Sequence, residues 1–130
     1  MTSAREHLED PDWDTIEGPL LIAGDVNDVG RIAEICARLP WDAQGVVLLE
    51  AAARIQQRYI DMPNGVSVRW LLRGDGLDQP TRGERLGRAV HAWCVEWVCD
   101  EPDAQWTVWL GPHTPPRIAR MARSLLGVGG

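Results

Sequence analysis

A glycine and several polar residues follow the first apolar run of the chain, at a position where many folds bind phosphate. The sequence from Gly24 to Gly30 is G-D-V-N-D-V-G, and a segment with helical periodicity follows it. A dinucleotide fingerprint needs three glycines as G-x-G-x-x-G, so that the backbone can approach a pyrophosphate at the start of the helix. Here only Gly24 and Gly30 are present, so the fingerprint is absent, and the carboxylates of Asp25 and Asp28 would repel a phosphate. Two interpretations follow: Asn27 or Asp28 caps the helix, or the turn contacts a phosphate directly.

The second apolar run ends in an acid that could bind a ribose. Glu50 closes the run G-V-V-L-L-E, and in dinucleotide-binding folds an acid at this place hydrogen-bonds the ribose hydroxyls. The alternative is a strand-end carboxylate that is simply solvated. Arg54 and Arg58 follow closely, and either guanidinium could meet the 2′-phosphate of NADPH. The residues therefore leave both nicotinamide cofactors open.

Arginines recur at every third residue in two places, which could form surfaces for an anion or a partner. The two runs are Arg82, Arg85 and Arg88, and Arg117, Arg120 and Arg123. On a helix this spacing places the side chains on one slowly drifting face. A solvated face is the alternative, since cations near a helix C-terminus also suit the helix dipole.

Neither metal binding nor nucleophilic catalysis is predicted. His91 and Cys94 share a helical face, but Cys99 does not, and no fourth ligand has a suitable spacing for structural zinc. No serine lies in a G-x-S-x-G elbow. His113 follows the last apolar run at a candidate ligand edge, where a lone loop histidine is usually only exposed. No acid-base constellation that would make the chain a catalyst by itself is visible.

Four apolar runs indicate the strands that would position these residues. They span 20–24, 45–50, 66–72 and 105–111, and helical spacing of apolar residues spans 29–39, 86–97 and 118–125. The first two runs are almost continuously apolar, as in strands buried on both faces of a parallel sheet. A short, weak helix follows the second run. This alternation predicts a single three-layer, Rossmann-like α/β domain with a four-stranded parallel sheet over residues 18–130.

Two polar segments flank this pattern. Residues 1–17 contain six acids, and they predict an acidic flexible leader with Trp13 and Ile16 pinned to the body. The segment 74–83 is rich in glycine, proline and acids, which predicts an exposed loop. This loop begins where the third strand ends, on the side of the sheet where open parallel sheets bind ligands.

Composition excludes several classes of function. The net charge is −6, from 19 acids and 13 bases that are all arginine, so a general nucleic-acid coat is not expected. No apolar run approaches the roughly 18 residues of a membrane span. Three cysteines without a disulfide-framework spacing suit a reducing compartment. We therefore predict a cytoplasmic protein that binds neither nucleic acid, membrane nor metal.

The first turn and three later segments resemble the siderophore-interacting proteins, which are flavin-dependent ferric-siderophore reductases. In that family the turn has the pattern Gly-Asp-Glu-Thr, two residues, then Pro and Ile, and Gly24, Asp25 and Ile32 match it. The likeness continues in VVLLEAA, VSVRWLLRG and VWLGPHTPPRIARMARSLL, where Gly111 matches the closing turn and Arg120 the helix arginine. The positions that depart from the pattern are Val26, Asn27, Gly30 and Pro112.

The resemblance covers roughly residues 19–126 and corresponds only to the C-terminal, NAD(P)H-binding half of such proteins. It implies a strand order of 3-2-1-4, binding of NAD(P)H, and a flavin that this chain does not itself bind. Because the carboxylates of Asp25 and Asp28 oppose a phosphate, we expect the binding of NAD(P)H to be weak. The cofactor-binding residues that we predict are Gly24, Asp25, Asn27, Glu50, Arg54, Gly111 and Arg120.

Two classes of function stay open. In the first, the chain resembles the nucleotide-binding half of a siderophore-linked flavin reductase and would work with a separate flavin-domain protein. Alternatively, it is a non-enzymatic interaction module that kept the sheet and lost the nucleotide, with its arginines and tryptophans contacting proteins or another copy of the chain.

Overall fold

The structure, a computed structural model, describes residues 11–73, 82–99 and 105–127. Within these ranges, four strands and three α-helices follow one another: β1 (Leu20–Asp25), α1 (Val29–Arg38), β2 (Gly45–Ala51), β3 (Val66–Leu72), α2 (Glu84–Cys94), β4 (Thr107–Leu110) and α3 (Pro116–Leu126). A π-helical segment (Val95–Cys99) continues α2, and short 3-10 turns occur at Trp13–Thr15, Val26–Asp28 and Arg54–Gln56. The last of these stands where the sequence predicts a short, weak helix. None of the described helices is long and apolar enough to cross a membrane.

The four strands form one parallel sheet in the order β3-β2-β1-β4, which confirms the predicted fold and strand order. Leu20 at the start of β1 lies beside Gly45 of β2 and Thr107 of β4. All six residues of β1 are buried, as its continuous apolar run predicts for a central strand. β3 lies at the edge of the sheet and exposes Ser67 and Arg69.

Helices cover both faces of the sheet, which gives three layers. One buried cluster joins α1 to the sheet through residues such as Ile32, Ile35 and Leu49. The other joins α2 and α3 to the opposite face through residues such as Val90 and Ile118. The chain runs from β1 to β3 in one direction and then returns past β1 to β4. Because parallel crossovers are right-handed, this reversal puts the later helices on the second face.

Part of the segment before β1 is packed against the body. Trp13 is fully buried in the cluster on the α1 face, as the sequence predicts, and Ile16 packs against the same cluster. Arg38 Nη2 lies 4.0 Å from Asp12 Oδ1 and 3.6 Å from Asp14 Oδ2. Residues 1–10 of the predicted leader and residues 74–81 of the predicted exposed loop lie outside the described residues.

Candidate functional site

The carboxyl ends of β1 and β4 lie side by side at the point where the strand order reverses. We call this border of the sheet, with the turns that follow its strands, the carboxyl edge. Gly24 lies near the end of β1, and Gly111 follows β4 and donates its N–H to the Ala23 carbonyl at 2.8 Å. In open α/β sheets such a switch point is where ligands bind.

The side chain of Asp28 fills the space between these two glycines. A Cβ atom placed on Gly24 would lie 2.9 Å from Asp28 Oδ2, and one on Gly111 would lie 2.4 Å from Asp28 Cγ. Neither glycine has a positive φ. Glycine is therefore required at both positions by the close approach of Asp28 rather than by backbone conformation.

Asp28 is buried and connects the turn after β1 to the turn after β4. Its carboxylate accepts the N–H of Asp25 at 3.0 Å and the N–H of His113 at 3.3 Å. The His113 ring contacts the same carboxylate, with 2.6 Å between Nδ1 and Oδ1. The hydrogen bond and the charge of Asp28 raise the pKa of His113, and Asp25 adds to this while Arg82 opposes it.

Asp25 makes a second connection across the same edge. Its carboxylate accepts the N–H of Asn27 at 2.7 Å and an N–H of Arg82 Nη2 at 3.0 Å. Arg82 also donates to the His113 carbonyl, and Arg117 Nη2 donates to the Arg82 carbonyl at 2.7 Å. Arg82, His113 and Arg117 thus form a cluster of exposed basic groups that we call the cationic rim.

Glu50 supports the start of α2 in place of meeting solvent. It is 1% exposed, and its two oxygens accept the N–H of Gly83 at 2.9 and 2.8 Å. Gly83 is the residue before α2 and has a φ of 88°, which favours glycine. The interpretation of Glu50 as a solvated strand-end carboxylate is therefore wrong. A ribose hydroxyl that bound Glu50 would have to share its carboxylate with the N–H of Gly83.

The predicted site residues fall into two groups. Gly24, Asp25, Glu50 and Gly111 are buried at the carboxyl edge, and the backbone of Asn27 joins them while its side chain is exposed. The other two predicted residues are exposed on different elements, namely Arg54 in the 3-10 turn after β2 and Arg120 in α3.

The guanidinium that pairs with Asp25 at this edge comes from Arg82, which the sequence did not assign to the site. The contact between Asp28 and His113 was also missed, although both residues follow neighbouring strand ends in the predicted order.

The carboxyl edge does not fit a pyrophosphate at the start of α1. The chain's own carboxylates accept the N–H groups of Asp25 and Asn27, which such a ligand would need. A phosphate could reach Arg82, whose side chain is 48% exposed, in competition with Asp25. Within the described ranges, no group of three His, Cys, Asp or Glu residues could hold a metal ion. Burial raises the pKa of the Cys36 thiol to about 11, which keeps it protonated.

The fold and this edge define a Rossmann-like α/β domain with its candidate ligand site at the switch point. The siderophore-interacting protein family model matches residues 19–125. The chain therefore belongs to the siderophore-interacting protein family, which supports a siderophore-related role. No curated protein matches the chain.

Two solved structures show the same fold. A siderophore utilization protein from T. fusca matches with a TM-score of 0.60 and 22% identity, over 92% of this chain and 40% of that one. The siderophore-interacting protein SipS from Aeromonas hydrophila matches with a TM-score of 0.59 and 20% identity, over 85% of this chain and 45% of that one. The chain thus spans less than half the length of either structure.

Proposed function

We propose that the chain acts in siderophore-linked iron reduction as a nicotinamide-nucleotide-binding unit, together with a flavin held outside this sequence. Membership of the family supports the siderophore connection. The observation that carries the nucleotide assignment is the switch point between β1 and β4, where this fold class binds ligands. When bound, a reduced nicotinamide supplies a hydride, and the flavin partner would accept it.

The nucleotide would be held by its phosphates on the cationic rim. Arg82 is the central group, because its side chain is 48% exposed and its guanidinium lies 3.0 Å from Asp25 at the switch point. Asp25 competes with any phosphate for this guanidinium from 3.0 Å. Binding is therefore weak and sensitive to salt, with a dissociation constant around or above 0.1 mM, equivalent to roughly 5.5 kcal/mol.

A second candidate function is an interaction module without a nucleotide. The observation that favours it is the buried Asp28 carboxylate, which occupies the space beside Gly24 and Gly111. A sheet edge whose polar groups are satisfied internally needs no ligand to complete it. In this case the surface arginines would serve protein contacts.

Titration with NADPH separates the two candidates. The seven tryptophans emit where reduced nicotinamide absorbs, so binding to a domain of this size should quench their fluorescence. We expect saturable quenching at low salt after inner-filter correction, and its loss at high salt. If no saturable quenching occurs up to about 1 mM, the nucleotide proposal fails and the interaction module stands.

Three variants locate the site. Arg82→Gln removes the central cation, and we expect at least a fivefold weaker affinity for NADPH. Asp25→Asn keeps the shape of the turn and removes the competing charge, so we expect several-fold tighter binding. Arg120→Glu tests the arginine that the sequence predicts to bind the cofactor. If Arg120→Glu loses NADPH binding while Arg82→Gln binds NADPH as tightly as the parent, the phosphate site lies on α3. Melting temperatures of the variants confirm that each remains folded.

A further inference from the structure

A groove runs between α2 and α3 on the outer surface of that helical layer. Its volume is about 370 Å³, and its lining residues are Gly87, Arg88, His91, Arg117, Ile118 and Met121. We call it the α2–α3 groove. Ile118 is buried and Met121 is half-buried, so they form an apolar floor between more exposed polar side chains.

The polar side chains of this groove are all basic in type. Arg88, His91 and Arg117 are exposed, and no Asp or Glu stands among the described residues that line the groove. The ion pair of Arg88 with Glu84 spans 3.9 Å, between side chains that are 77% and 42% exposed. Such exposed pairs contribute little and leave the cation available. In a chain with a net charge of −6, this is a local positive surface around an apolar floor.

Gly87 keeps the groove open at a position where the fold does not need glycine. A Cβ atom there would meet Ile118 Cγ1 at 3.7 Å, which is an ordinary van der Waals contact. Glycine inside a helix costs about 0.5–1 kcal/mol relative to alanine. Nothing in the fold requires this glycine, because alanine would not clash there and the φ of Gly87 is not positive. What glycine provides is space above Ile118.

We propose that the α2–α3 groove binds an acidic, amphipathic segment of a partner protein. An apolar side chain of that segment packs over Gly87 against Ile118 and Met121, and its carboxylates face the basic side chains at the rim of the groove. This is the helix-in-groove mode of recognition, with charge complementarity to select an acidic partner. The inference uses no nucleotide and does not depend on the proposed reductase role.

The test uses a fluorescently labelled synthetic peptide of about 12 residues, with leucine on one helical face and glutamate on the other. A scrambled peptide of the same composition is the matched probe. In fluorescence anisotropy at low salt, we expect saturable binding of the amphipathic peptide that is at least tenfold tighter than binding of the scrambled one. Equal binding of both peptides, or no saturable binding of either, would overturn the proposal.

Variants of the full chain place the peptide in the groove. Gly87→Leu fills the groove and Arg88→Glu reverses a charge at its rim. Each should weaken binding of the amphipathic peptide at least tenfold. Arg123→Glu is the matched control, because it changes an exposed arginine of α3 that does not line the groove. Its affinity should stay within twofold of the parent. Unchanged affinity in Gly87→Leu, or equal losses in Arg123→Glu and Arg88→Glu, would show general electrostatic attraction and refute the assignment.

Discussion

The carboxyl edge and the α2–α3 groove both carry cations, but only the edge supplies buried acids to meet them. Arg82 lies 3.0 Å from the carboxylate of Asp25, whose side chain is 8% exposed. Arg88 in the groove is 77% exposed, and its contact with Glu84 is longer, at 3.9 Å. A charge pair that is partly withdrawn from solvent is screened less than an exposed one. The cations of the edge are therefore partly neutralised within the chain, whereas those of the groove meet no buried acid among the described residues and are offered to a partner.

The glycines of the two regions differ in the same way. Gly111 has its space filled by Asp28, which three polar contacts hold in place. Gly87 has only a contact of ordinary length with Ile118 to accommodate. One glycine is thus required by a neighbouring side chain, and the other leaves a surface open. Adding a methyl group at each position tests this difference directly.

The largest effect is expected from Gly111→Ala. The new Cβ would lie 2.4 Å from Asp28 Cγ, and the anchored carboxylate cannot move aside without losing its contacts. We expect the free energy of unfolding to fall by about 2–3 kcal/mol. Urea denaturation at neutral pH measures it.

A double variant shows whether Asp28 causes this loss. Asp28→Ala removes Asp28 Cγ and both of its oxygens, which are the atoms that the new methyl group meets. Gly111→Ala should therefore cost at least about 1 kcal/mol less in the Asp28→Ala background than in the parent. Additive losses would mean that Asp28 does not fill the edge as described.

A smaller effect of opposite sign is expected from Gly87→Ala. The methyl group makes an ordinary contact with Ile118 and reduces the conformational freedom of the unfolded chain. We expect the free energy of unfolding to rise by about 0.5–1 kcal/mol, measured by the same urea denaturation. Destabilisation by this variant would show that α2 and α3 pack too tightly there to leave a groove.

Much of the fold could be predicted from sequence because its signals are local. The continuous apolar run of β1 predicts a central strand, and the alternation of strands and helices predicts parallel crossovers. The order 3-2-1-4 came from the family resemblance and is confirmed by the pairing of β1 with both β2 and β4.

The contacts of the site could be predicted only in part. Asp28 and His113 follow the ends of adjacent strands, so the strand order already brings their turns together. The pairing of Arg82 with Asp25 joins residues 57 positions apart, and that of Glu50 with Gly83 joins residues 33 apart. These contacts depend on how the chain returns after β3, and no periodicity or turn pattern specifies that path. The role of Glu50 was missed for this reason.

The smallest expected effect is a pH dependence of stability that comes from His113. The Asp28 carboxylate raises the pKa of this histidine above its ordinary value of 6.5 in the folded chain. A raised pKa stabilises the fold fully below pH 6.5, and this contribution is lost as the pH rises through the higher, folded-state pKa. The His113 side chain is about half-exposed, so the effect is modest.

We therefore expect the melting temperature of the parent to fall as the pH rises from about 6 to about 9, and to fall less in His113→Gln. Asp28→Asn should flatten the same part of the profile, because it removes the charge that raises the pKa. Arg88→Glu alters a cation of the groove that has no buried acid partner, so its profile should keep the slope of the parent. A parent slope that His113→Gln preserves would show that His113 and Asp28 are not coupled. In that case only the pair of Arg82 with Asp25, and not that of His113 with Asp28, would support the contrast between the edge and the groove.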